Sequence, residues 1–462
     1  MRVQVLAVLP AQEPLMESAV AALERRPVTI PLSAAAIPPA LELDLSFPAV
    51  PVGSGIAREM SLESTRPYAS KGFVVRGSIE VDSLERVPAN LQGLPLFADP
   101  AIAPFVGGGN PPFSDPAIAP FAGAAAPHIG TMADVRTKLD VAALHGRGLD
   151  GTNVAIAVMD TGINLAHLKR KLGVQPLFDA FNSWTPPGIA IAPGAHPIDH
   201  GTMCAFDALI AAPRATLLDF PILATSAAGG AVTGSTLSVA MQAFQQLWTS
   251  WAVAFAPGGV HRFGALVINN SWGIYHPSWD FPPGHPGRYV DNPDHPFNGL
   301  VGLLTKSGID IVFAAGNCGS PGPDGRCVGR TTGSIMGANA SPDVLTLAGC
   351  DTNDVRVPYS SQGPSIAGMF QNKPDITAYT HFLGSEAFGA GSPDTGTSTA
   401  CPVAAGCVAA IRTRLSRTTF PPPNLFAQLK STARKVGGAT GWNGDYGHGI
   451  IDPDATATSF GL

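Results

Sequence analysis

Four polar residues, each in its own short stretch of the chain, have the types that a serine nucleophile site requires. They are Asp160 in NVAIAVMDTG, His200 in DHGTMCAFDAL, Asn317 in IVFAAGN and Ser398 in DTGTSTACP. A serine hydroxyl needs a base to take its proton, and the base needs a carboxylate to fix its tautomer. The oxyanion that then develops needs preorganised hydrogen-bond donors, which an asparagine amide supplies. Together the four residues predict nucleophilic catalysis at Ser398.

Each of these residues also has an ordinary structural interpretation when it is taken alone. Asp160 would turn the chain after a strand, His200 would begin a helix, and Asn317 would hold a turn. Ser398 lies between two threonines, where a hydroxyl commonly caps the first turn of a helix. The hypothesis of a reactive site therefore depends on the four residues occurring together, each in a fitting context.

The elements that must position these side chains follow from runs of apolar residues after position 132. Strands that are buried on both faces of a parallel sheet need near-continuous apolar runs. Such runs occur at 153–159, 215–219, 264–269, 310–315 and 343–348. Helices are predicted between them, over 235–251 and 298–306. This alternation predicts an α/β fold of three layers, a doubly wound parallel sheet whose chemistry gathers outside the carboxyl ends of the strands.

From about residue 133 to residue 455 the sequence resembles the subtilisin-like serine proteases, or subtilases. The chain order of the four polar residues, aspartate, histidine, asparagine and serine, is that of the family. Four further stretches resemble family motifs: VINNSWG at 267–273, YSSQGPS at 359–365, KPDITA at 373–378 and YGHGIIDPDA at 446–455. Two departures lie beside the reacting residues. After His200-Gly-Thr the family usually continues with His-Val-Ala-Gly, and this chain has Met-Cys-Ala-Phe. Directly after Ser398 the family usually has Met, and this chain has Thr399.

The resemblance implies a serine endopeptidase that hydrolyses peptide bonds through an acyl-enzyme. Ser398 would attack the scissile carbonyl, His200 would take and return the proton, and Asp160 would orient the imidazole. The Asn317 side chain and the Ser398 backbone N–H would bind the oxyanion.

The resemblance also implies how a substrate binds, while leaving one alternative function open. Protein or peptide substrates would pair as an added strand with Ser271, Trp272 and Gly273, and Gly273 would leave room for the side chain before the scissile bond. The preferred side chain at that position is not predicted. The alternative is a catalytically silent binding or scaffold protein with the subtilase fold, because a fold does not guarantee a function.

We predict that the catalytic domain spans residues 133–462. Ahead of it, we predict a small N-terminal α+β extension over residues 1–92. Its predicted elements are strands at 2–9 and 72–81, a helix at 13–25 and a short helix after Ser83. The extension resembles the inhibitory prodomain of the family only loosely, and an unrelated α+β extension is the alternative.

Residues 93–132 are rich in Pro, Gly and Ala, and we predict a linker or an extended segment that lies on another surface. This stretch repeats DPAIAPF at 99–105 and 115–121, which is too few copies for a repeat fold. We expect a tail from the extension to lie along 271–273 and to block the cleft until the linker is cut. The N-terminal segment is therefore a predicted inhibitor, and the protein a predicted zymogen.

The composition limits the classes of partner. Of the 462 residues, 45% are hydrophobic and 13% are charged, and the formal net charge is −6. With no long basic block, this composition argues against nucleic acid as the partner. No apolar run approaches the roughly 18 residues of a membrane span, so we expect no membrane partner. The first residues are more typical of a β-strand than of a secretory signal, which favours the cytoplasm, with secretion as the alternative.

Cysteine and acidic residues give no specific metal-binding motif. Cys318 and Cys327 bracket the loop NCGSPGPDGRC, where a disulfide is an open alternative and no nearby residue completes a zinc site. The acidic loop DNPDHPFN at 291–298 has oxygen ligands for calcium, but solvated turn carboxylates are the favoured interpretation. We therefore predict no required cofactor and no metal site.

Overall fold

A computed structural model of the chain describes residues 1–10, 37–52, 72–105, 127–223, 235–254, 263–438 and 440–462. The chain divides into two compact units. The first comprises Met1–Ala101, Thr236–Val260 and Pro277–Leu303, and the second comprises Ile102–Ser235, His261–His276 and Leu304–Leu462. The predicted domain limits after residues 92 and 132 differ from this division, and they stay predictions.

The N-terminal part of the first unit is an antiparallel sheet. Its strands are β1 (Arg2–Pro10), β2 (Glu42–Leu43), β3 (Val50–Val52), β4 (Gly72–Glu80), β5 (Asn90–Leu91) and β6 (Leu94–Ala98). They lie in the order β2-β4-β1-β6-β5, and β3 also pairs with β4. Along β1 the alternate residues Val3, Val5, Ala7 and Leu9 are buried, as the period of two of a strand with one apolar face requires.

The predicted strands at 2–9 and 72–81 are confirmed by β1 and β4. The short helix predicted after Ser83 is a single 3-10 turn over Leu84–Arg86, which ends two residues before Pro88. The helix predicted at 13–25 lies outside the described residues. In the described part of residues 1–92 these elements are strands and one 3-10 turn, and the α+β extension of residues 1–92 stays a prediction.

A parallel sheet is the centre of the second unit. The strands that follow β6 are β7 (Ala101–Pro104), β8 (Val154–Met159), β9 (Thr216–Phe220), β10 (Ser235–Thr236), β11 (Ala265–Asn270), β12 (Trp272–Gly273), β13 (Asp310–Ala314), β14 (Leu345–Cys350) and β15 (Ile376–Tyr379). Six of them form a parallel sheet in the order β15-β14-β13-β11-β8-β9. The apolar runs of the sequence predict β8, β9, β11, β13 and β14 to within two residues, and the three-layer doubly wound fold is confirmed.

The described helices alternate with these strands. They are α1 (Met132–Lys138), α2 (Val141–Gly146), α3 (Leu165–Leu172), α4 (His200–Ala208), α5 (Leu237–Ala254), α6 (Pro296–Lys306), α7 (Thr397–Arg412), α8 (Pro422–Thr432) and α9 (Pro453–Ser459). The helices predicted over 235–251 and 298–306 correspond to α5 and α6. Among the helices of the described ranges, none has both the length and the apolar character needed to cross a bilayer.

The strand order creates a reversal in the middle of the parallel sheet. From β8 the chain adds β9 on one side, and it then returns across β8 to add β11 on the other side. The crossovers therefore leave β8 and β11 in opposite directions, which opens a crevice at the carboxyl ends of these two strands. Asp160 directly follows β8 and Ser271 directly follows β11, so both lie at this crevice.

Helix α7 runs through the interior of the second unit, and all of its residues are buried. It contacts α4 and the strands β8, β11, β13 and β14. Near the end of α7 the Arg412 guanidinium donates two hydrogen bonds of 2.7 Å to the Asp310 carboxylate, and neither side chain is exposed. Because Asp310 begins β13, this buried ion pair joins the helix to the sheet.

We expect Asp310→Asn to lower the free energy of unfolding by about 3–5 kcal/mol, because the Arg412 charge would stay buried without its counter-ion. The midpoint of urea unfolding measures the change. Arg414→Ala, at an exposed position just beyond α7, is the control and should unfold at the midpoint of the parent protein. Equal midpoints for all three proteins would contradict the assignment of stability to the buried pair.

Candidate active site

The Asp160 carboxylate lies at the carboxyl end of β8 and holds the ring of His200. Its Oδ1 accepts a hydrogen bond from His200 Nδ1 at 2.7 Å and another from the Thr161 backbone N–H at 2.8 Å. The side chains of Asp160 and His200 are both fully buried. A carboxylate that accepts from Nδ1 fixes the proton of a neutral imidazole on that nitrogen, so Nε2 is left as the basic nitrogen.

His200 is the first residue of α4, as the sequence predicts. Asp199 precedes the helix, and its side chain accepts a hydrogen bond from the His200 backbone N–H at 2.8 Å. The helix start lies against the turn after β8, because a Cβ at Gly201 would stand 2.6 Å from the Gly162 carbonyl oxygen. Glycine at 201 therefore permits the approach that joins His200 to Asp160. His200 Nε2 is buried and has no hydrogen-bond partner within the described ranges.

Ser398 is the second residue of α7, and its hydroxyl contacts two backbone carbonyl groups. Ser398 Oγ lies 2.5 Å from the Phe105 carbonyl oxygen and 3.1 Å from the Ser271 carbonyl oxygen. The helix begins after Gly396, whose φ of 87° belongs to the left-handed region that favours glycine. The structure therefore brings Ser398 to the strand end that carries Ser271, with its hydroxyl directed at a peptide carbonyl.

Pro402 frees the carbonyl oxygen of Ser398 for contacts with other elements. In a regular helix the N–H of residue 402 would donate to this oxygen, but proline has no N–H. Ser271 Oγ donates to the Ser398 oxygen instead, at 3.0 Å, and the Cys204 thiol lies 3.6 Å from the same atom. Ser271 follows β11 and Cys204 belongs to α4, so one carbonyl joins three elements of the site.

Asn317 has a fixed side-chain orientation because Thr397 holds its amide oxygen. The Thr397 backbone N–H and hydroxyl donate to Asn317 Oδ1 at 2.9 and 3.0 Å. The Thr397 hydroxyl in turn accepts a hydrogen bond from the Gly316 backbone N–H at 3.0 Å. With Oδ1 used in this way, Nδ2 is the group that faces the cleft, and it donates to the Phe105 carbonyl oxygen at 2.8 Å.

Strand β7 occupies the cleft as an extended peptide. It pairs antiparallel with β12, with Ala103 opposite Gly273 and Pro104 opposite Trp272. The Phe105 backbone N–H continues the pairing by donating to the Ser271 carbonyl oxygen at 2.9 Å. The Phe105 carbonyl then meets the Ser398 hydroxyl and the Asn317 amide described above. The strand that was predicted to receive substrate is thus paired with residues from the chain's own N-terminal side.

The Phe105 ring lies among glycines and one tyrosine. A Cβ at Gly273 would stand 2.6 Å from Phe105 Cζ, and a Cβ at Gly316 would stand 3.4 Å from the same atom. The ring of Tyr275 meets it edge to face, with the centroids 5.0 Å apart. The absence of a side chain at Gly273 therefore leaves space for the residue before the scissile bond, as the resemblance implies, and the Phe105 ring fills this space.

Two residues hold the Pro104 carbonyl oxygen, one peptide group before Phe105. The Tyr275 hydroxyl donates to it at 2.8 Å, and Arg326 Nη1 lies 3.4 Å away. The Arg326 guanidinium lies 3.8 Å from the centre of the Tyr275 ring and pairs with Asp324 through two hydrogen bonds of 2.9 Å. This arrangement restrains the tyrosine hydroxyl that faces the bound peptide.

The cleft contains every site residue predicted from the sequence: Asp160, His200, Asn317, Ser398, Ser271, Trp272 and Gly273. Sequence reasoning missed Phe105, Tyr275 and Arg326. The DPAIAPF repeat was the available signal for Phe105, and Arg326 belongs to the loop bracketed by cysteines, but Tyr275 carried no signal. Cys318 and Cys327 form a disulfide that closes this loop.

Cys204 is the titratable neighbour of the aspartate–histidine pair. Its sulfur lies 3.6 Å from Asp160 Oδ2 and 3.8 Å from His200 Nδ1. These three side chains are the one group of His, Cys, Asp or Glu, within the described part of the chain, that could share a metal ion. Burial, and then the Asp160 charge, raise the pKa of the Cys204 thiol well above its usual value. His200 Nδ1 uses its proton in the 2.7 Å hydrogen bond to Asp160 Oδ1, so in this arrangement it offers no lone pair to a metal ion.

The loop at 291–298, which offered oxygen ligands for calcium, uses its polar groups within the protein. Asp291 accepts a hydrogen bond from the Arg288 guanidinium. Asn292 Oδ1 accepts from the Asp294 backbone N–H at 2.9 Å, and the Asn292 carbonyl accepts from Asn298 at 2.8 Å. An ion-paired carboxylate and engaged amide oxygens do not fit a calcium cage, which takes six to eight oxygens at about 2.3–2.6 Å.

Comparisons with known proteins match a large part of the chain. A family model described as "Subtilase family" matches residues 151–449. The chain is 26% identical to subtilisin DY from Bacillus licheniformis over 319 residues, which are 68% of this chain and 94% of that protein. It is 25% identical to subtilisin E from Bacillus subtilis (strain 168) over 326 residues, which are 70% of each protein.

Among solved structures, the chain is similar to fervidolysin from Fervidobacterium pennivorans, described as a keratinolytic enzyme related to subtilisin. The TM-score is 0.54 at 16% sequence identity, and the match covers 99% of this chain and 61% of fervidolysin. At this identity the similarity concerns the fold alone, and this chain spans less than two thirds of that protein.

Proposed function

This chain belongs to the subtilase family and is a serine-type endopeptidase, and we propose that Ser398, His200 and Asp160 form its catalytic triad. The observation that carries the proposal is the Phe105 peptide group, whose carbonyl oxygen contacts both Ser398 Oγ and Asn317 Nδ2. The proposed nucleophile and the proposed oxyanion donor thus meet at one peptide carbonyl. The Cys204 sulfur, 3.8 Å from His200 Nδ1 and 3.6 Å from the Ser398 carbonyl oxygen, places the histidine–aspartate pair beside the same helix start. This is the arrangement that acyl transfer requires.

In the proposed reaction, Ser398 Oγ attacks the scissile carbonyl carbon while His200 Nε2 takes the hydroxyl proton. Asp160 stabilises the imidazolium through the 2.7 Å hydrogen bond to Nδ1. The tetrahedral oxyanion is held by Asn317 Nδ2 and by the Ser398 backbone N–H. His200 then gives its proton to the leaving amine, and water hydrolyses the acyl-enzyme by the same steps in reverse order. No cofactor takes part in this chemistry.

We propose that substrates are extended peptides with an aromatic residue before the scissile bond. The bound 103–105 segment supports this, because it pairs with Trp272–Gly273 and places a phenylalanine ring against Tyr275. The Tyr275 hydroxyl also donates to the backbone carbonyl oxygen of Pro104, the residue before Phe105. A peptide with any residue at that position has this carbonyl, so the hydrogen bond does not select a side chain. Backbone pairing would thus give affinity, and the ring pocket would give selectivity.

We also propose that the N-terminal region inhibits the enzyme through this same segment and is cut after Phe105. Tethering gives a segment an effective concentration of about millimolar, so substrate would compete poorly with it until the chain is cut. The extension before β7 would then separate from the catalytic part once the 105–106 bond is hydrolysed.

The cellular location stays a prediction, and the disulfide bears on it. Cys318 and Cys327 are buried and joined, and disulfides persist in oxidising compartments but are rare in the cytosol of mesophiles. This favours secretion, the alternative named from the sequence, over the cytoplasm. Immunoblots of the medium and of cell fractions from the native host distinguish the two locations.

Ser398→Ala should abolish hydrolysis of casein and labelling by a fluorophosphonate probe, because no other group would form the acyl bond. Ser416→Ala, an exposed hydroxyl change, should leave both unchanged. Fluorophosphonate labelling of the wild-type protein also distinguishes an active enzyme from a catalytically silent scaffold protein. Undiminished turnover by the Ser398→Ala protein would remove Ser398 from the reaction.

Asn317→Ala should lower kcat by about 10²–10³ with little change in KM, because an oxyanion donor acts mainly in the transition state. That range was established on a subtilisin asparagine. Steady-state kinetics on a phenylalanine p-nitroanilide peptide measure the effect, and Asn353→Ala, at an exposed position, is the control. A rise in KM with unchanged kcat would instead indicate a role in ground-state binding.

The fragment of residues 1–105, recovered from the self-cleaved wild type, should inhibit the mature enzyme competitively. The Phe105→Asp fragment has to be expressed separately, because the enzyme would not cut after aspartate, and it should inhibit about 10- to 100-fold more weakly, since the buried ring supplies roughly 1.5–3 kcal/mol. Leu45→Asp makes the same chemical change at an exposed position and should leave the inhibition constant unchanged. Equal inhibition by both variants would show that the fragment does not act through the Phe105 pocket.

A further inference from the structure

The DPAIAPF repeat contains a second copy of the peptide that occupies the cleft. The first copy, 99–105, contributes Ala103, Pro104 and Phe105 to the contacts described above. The second copy, 115–121, has the same seven residues and lies outside the described residues. The likeness continues on both sides, since the sequences FADPAIAPFVG (97–107) and FSDPAIAPFAG (113–123) differ only at their second and tenth positions.

The contacts made by the first copy depend on features that the second copy shares. The pairing with β12 uses backbone groups of residues that have identical counterparts in 115–121. The Phe105 ring lies 5.0 Å from the ring of Tyr275, and Phe121 supplies the same ring at the same place in the repeat. After its phenylalanine the first copy continues with Val106 and the second with Ala122. Both residues are apolar, and each is followed by glycine.

We propose that the enzyme takes the second copy as a second substrate segment of its own chain and cleaves it between Phe121 and Ala122. The inference rests on the proposed function, because it uses the same cleft and the same nucleophile. It adds that the first cut, after Phe105, leaves residues 115–121 free to enter the cleft once 99–105 has departed. Two cuts would excise the peptide 106–121 and give a catalytic chain that begins at Ala122.

The chemistry of the second cut balances with water as the only co-reactant. Ser398 Oγ forms an ester bond to the Phe121 carbonyl carbon as the bond from that carbon to the Ala122 nitrogen breaks. The serine proton passes through His200 to the Ala122 amine. Water then breaks the ester, which leaves the Phe121 carboxylate and restores the serine.

The second copy lies close in sequence to a segment that is fixed near the nucleophile. The Pro127 carbonyl accepts a hydrogen bond from His381 Nε2 at 3.1 Å, and His381 Nδ1 lies 3.3 Å from the Thr395 hydroxyl. Thr395 stands three residues before Ser398. The six residue-to-residue steps from Phe121 to Pro127 span at most about 20–22 Å when extended. A tether of this length allows cleavage within one molecule, and cleavage by a second molecule needs no tether.

The test is the identity of the mature N-terminus, read by N-terminal sequencing and intact mass. Wild type should begin at Ala122 and release the peptide 106–121. Phe121→Asp should begin at Val106, because the acidic side chain cannot fill the aromatic pocket. Phe113→Asp makes the same change in the same stretch but outside the bound residues, and it should still begin at Ala122. A wild-type chain that begins at Val106, or an unchanged start at Ala122 in Phe121→Asp, would overturn the proposal.

Synthetic peptides keep the test independent of the folding of the variants. The purified mature enzyme should cleave peptides 95–110 and 111–126 after Phe105 and Phe121, with kcat/KM values within about tenfold of each other. The 111–126 peptide with Phe121→Asp should lose about 100-fold or more of that rate. Cleavage of the first peptide alone would overturn this inference and leave the proposed function standing. Cleavage of neither peptide would overturn the proposed function.

Discussion

The candidate active site depends on one carbonyl group, the Ser398 oxygen, to which Pro402 has no N–H to donate. Ser271 from the end of β11 donates to this oxygen, and Cys204 from α4 lies against it. Since α7 is buried along its length, a hydrogen bond at its first turn fixes the nucleophile against both the substrate strand and the histidine helix. A regular helix would have used this oxygen internally, so the missing N–H of one proline permits the connection.

The proposed oxyanion donor, Asn317, depends on the same first turn of α7. An asparagine amide can face a cleft with either its oxygen or its nitrogen, and only the nitrogen stabilises an anion. Thr397 donates to Asn317 Oδ1 twice, which directs Nδ2 to the bound carbonyl. The threonine before Ser398 thus orients the group that would stabilise the transition state. The N-cap residue of α7 is Gly396 and no side chain caps the helix, so Ser398 is not a helix cap. Replacing Thr397 would affect the donor without touching the nucleophile.

The sequence predicted the sheet and the residues of the candidate site for a shared physical reason. Strands buried on both faces must be apolar throughout, so a polar residue directly after such a run stands out, as Asp160 does after β8. Contacts made across the cleft have no such local signature: Tyr275 meets Phe105 through a pairing of strands that are far apart in the chain. The composition of 93–132 also could not separate a linker from an extended strand, because Pro and Ala suit both, and Leu94–Ala98 and Ala101–Pro104 are strands.

The contacts of the bound segment bear on the proposal that one peptide is both inhibitor and substrate. Ser398 has a single hydroxyl proton, and its oxygen contacts the carbonyl oxygens of Phe105 and Ser271, while His200 Nε2 stays without a partner among the described residues. Attack on the carbonyl carbon requires that proton to point at Nε2, so the hydroxyl must rotate away from both oxygens first. The geometry therefore holds the peptide in place with the nucleophile turned to a non-reactive donor role. In the proposed function, binding of the segment precedes the chemistry, and inhibition ends when the 105–106 bond is cut and the segment leaves the cleft.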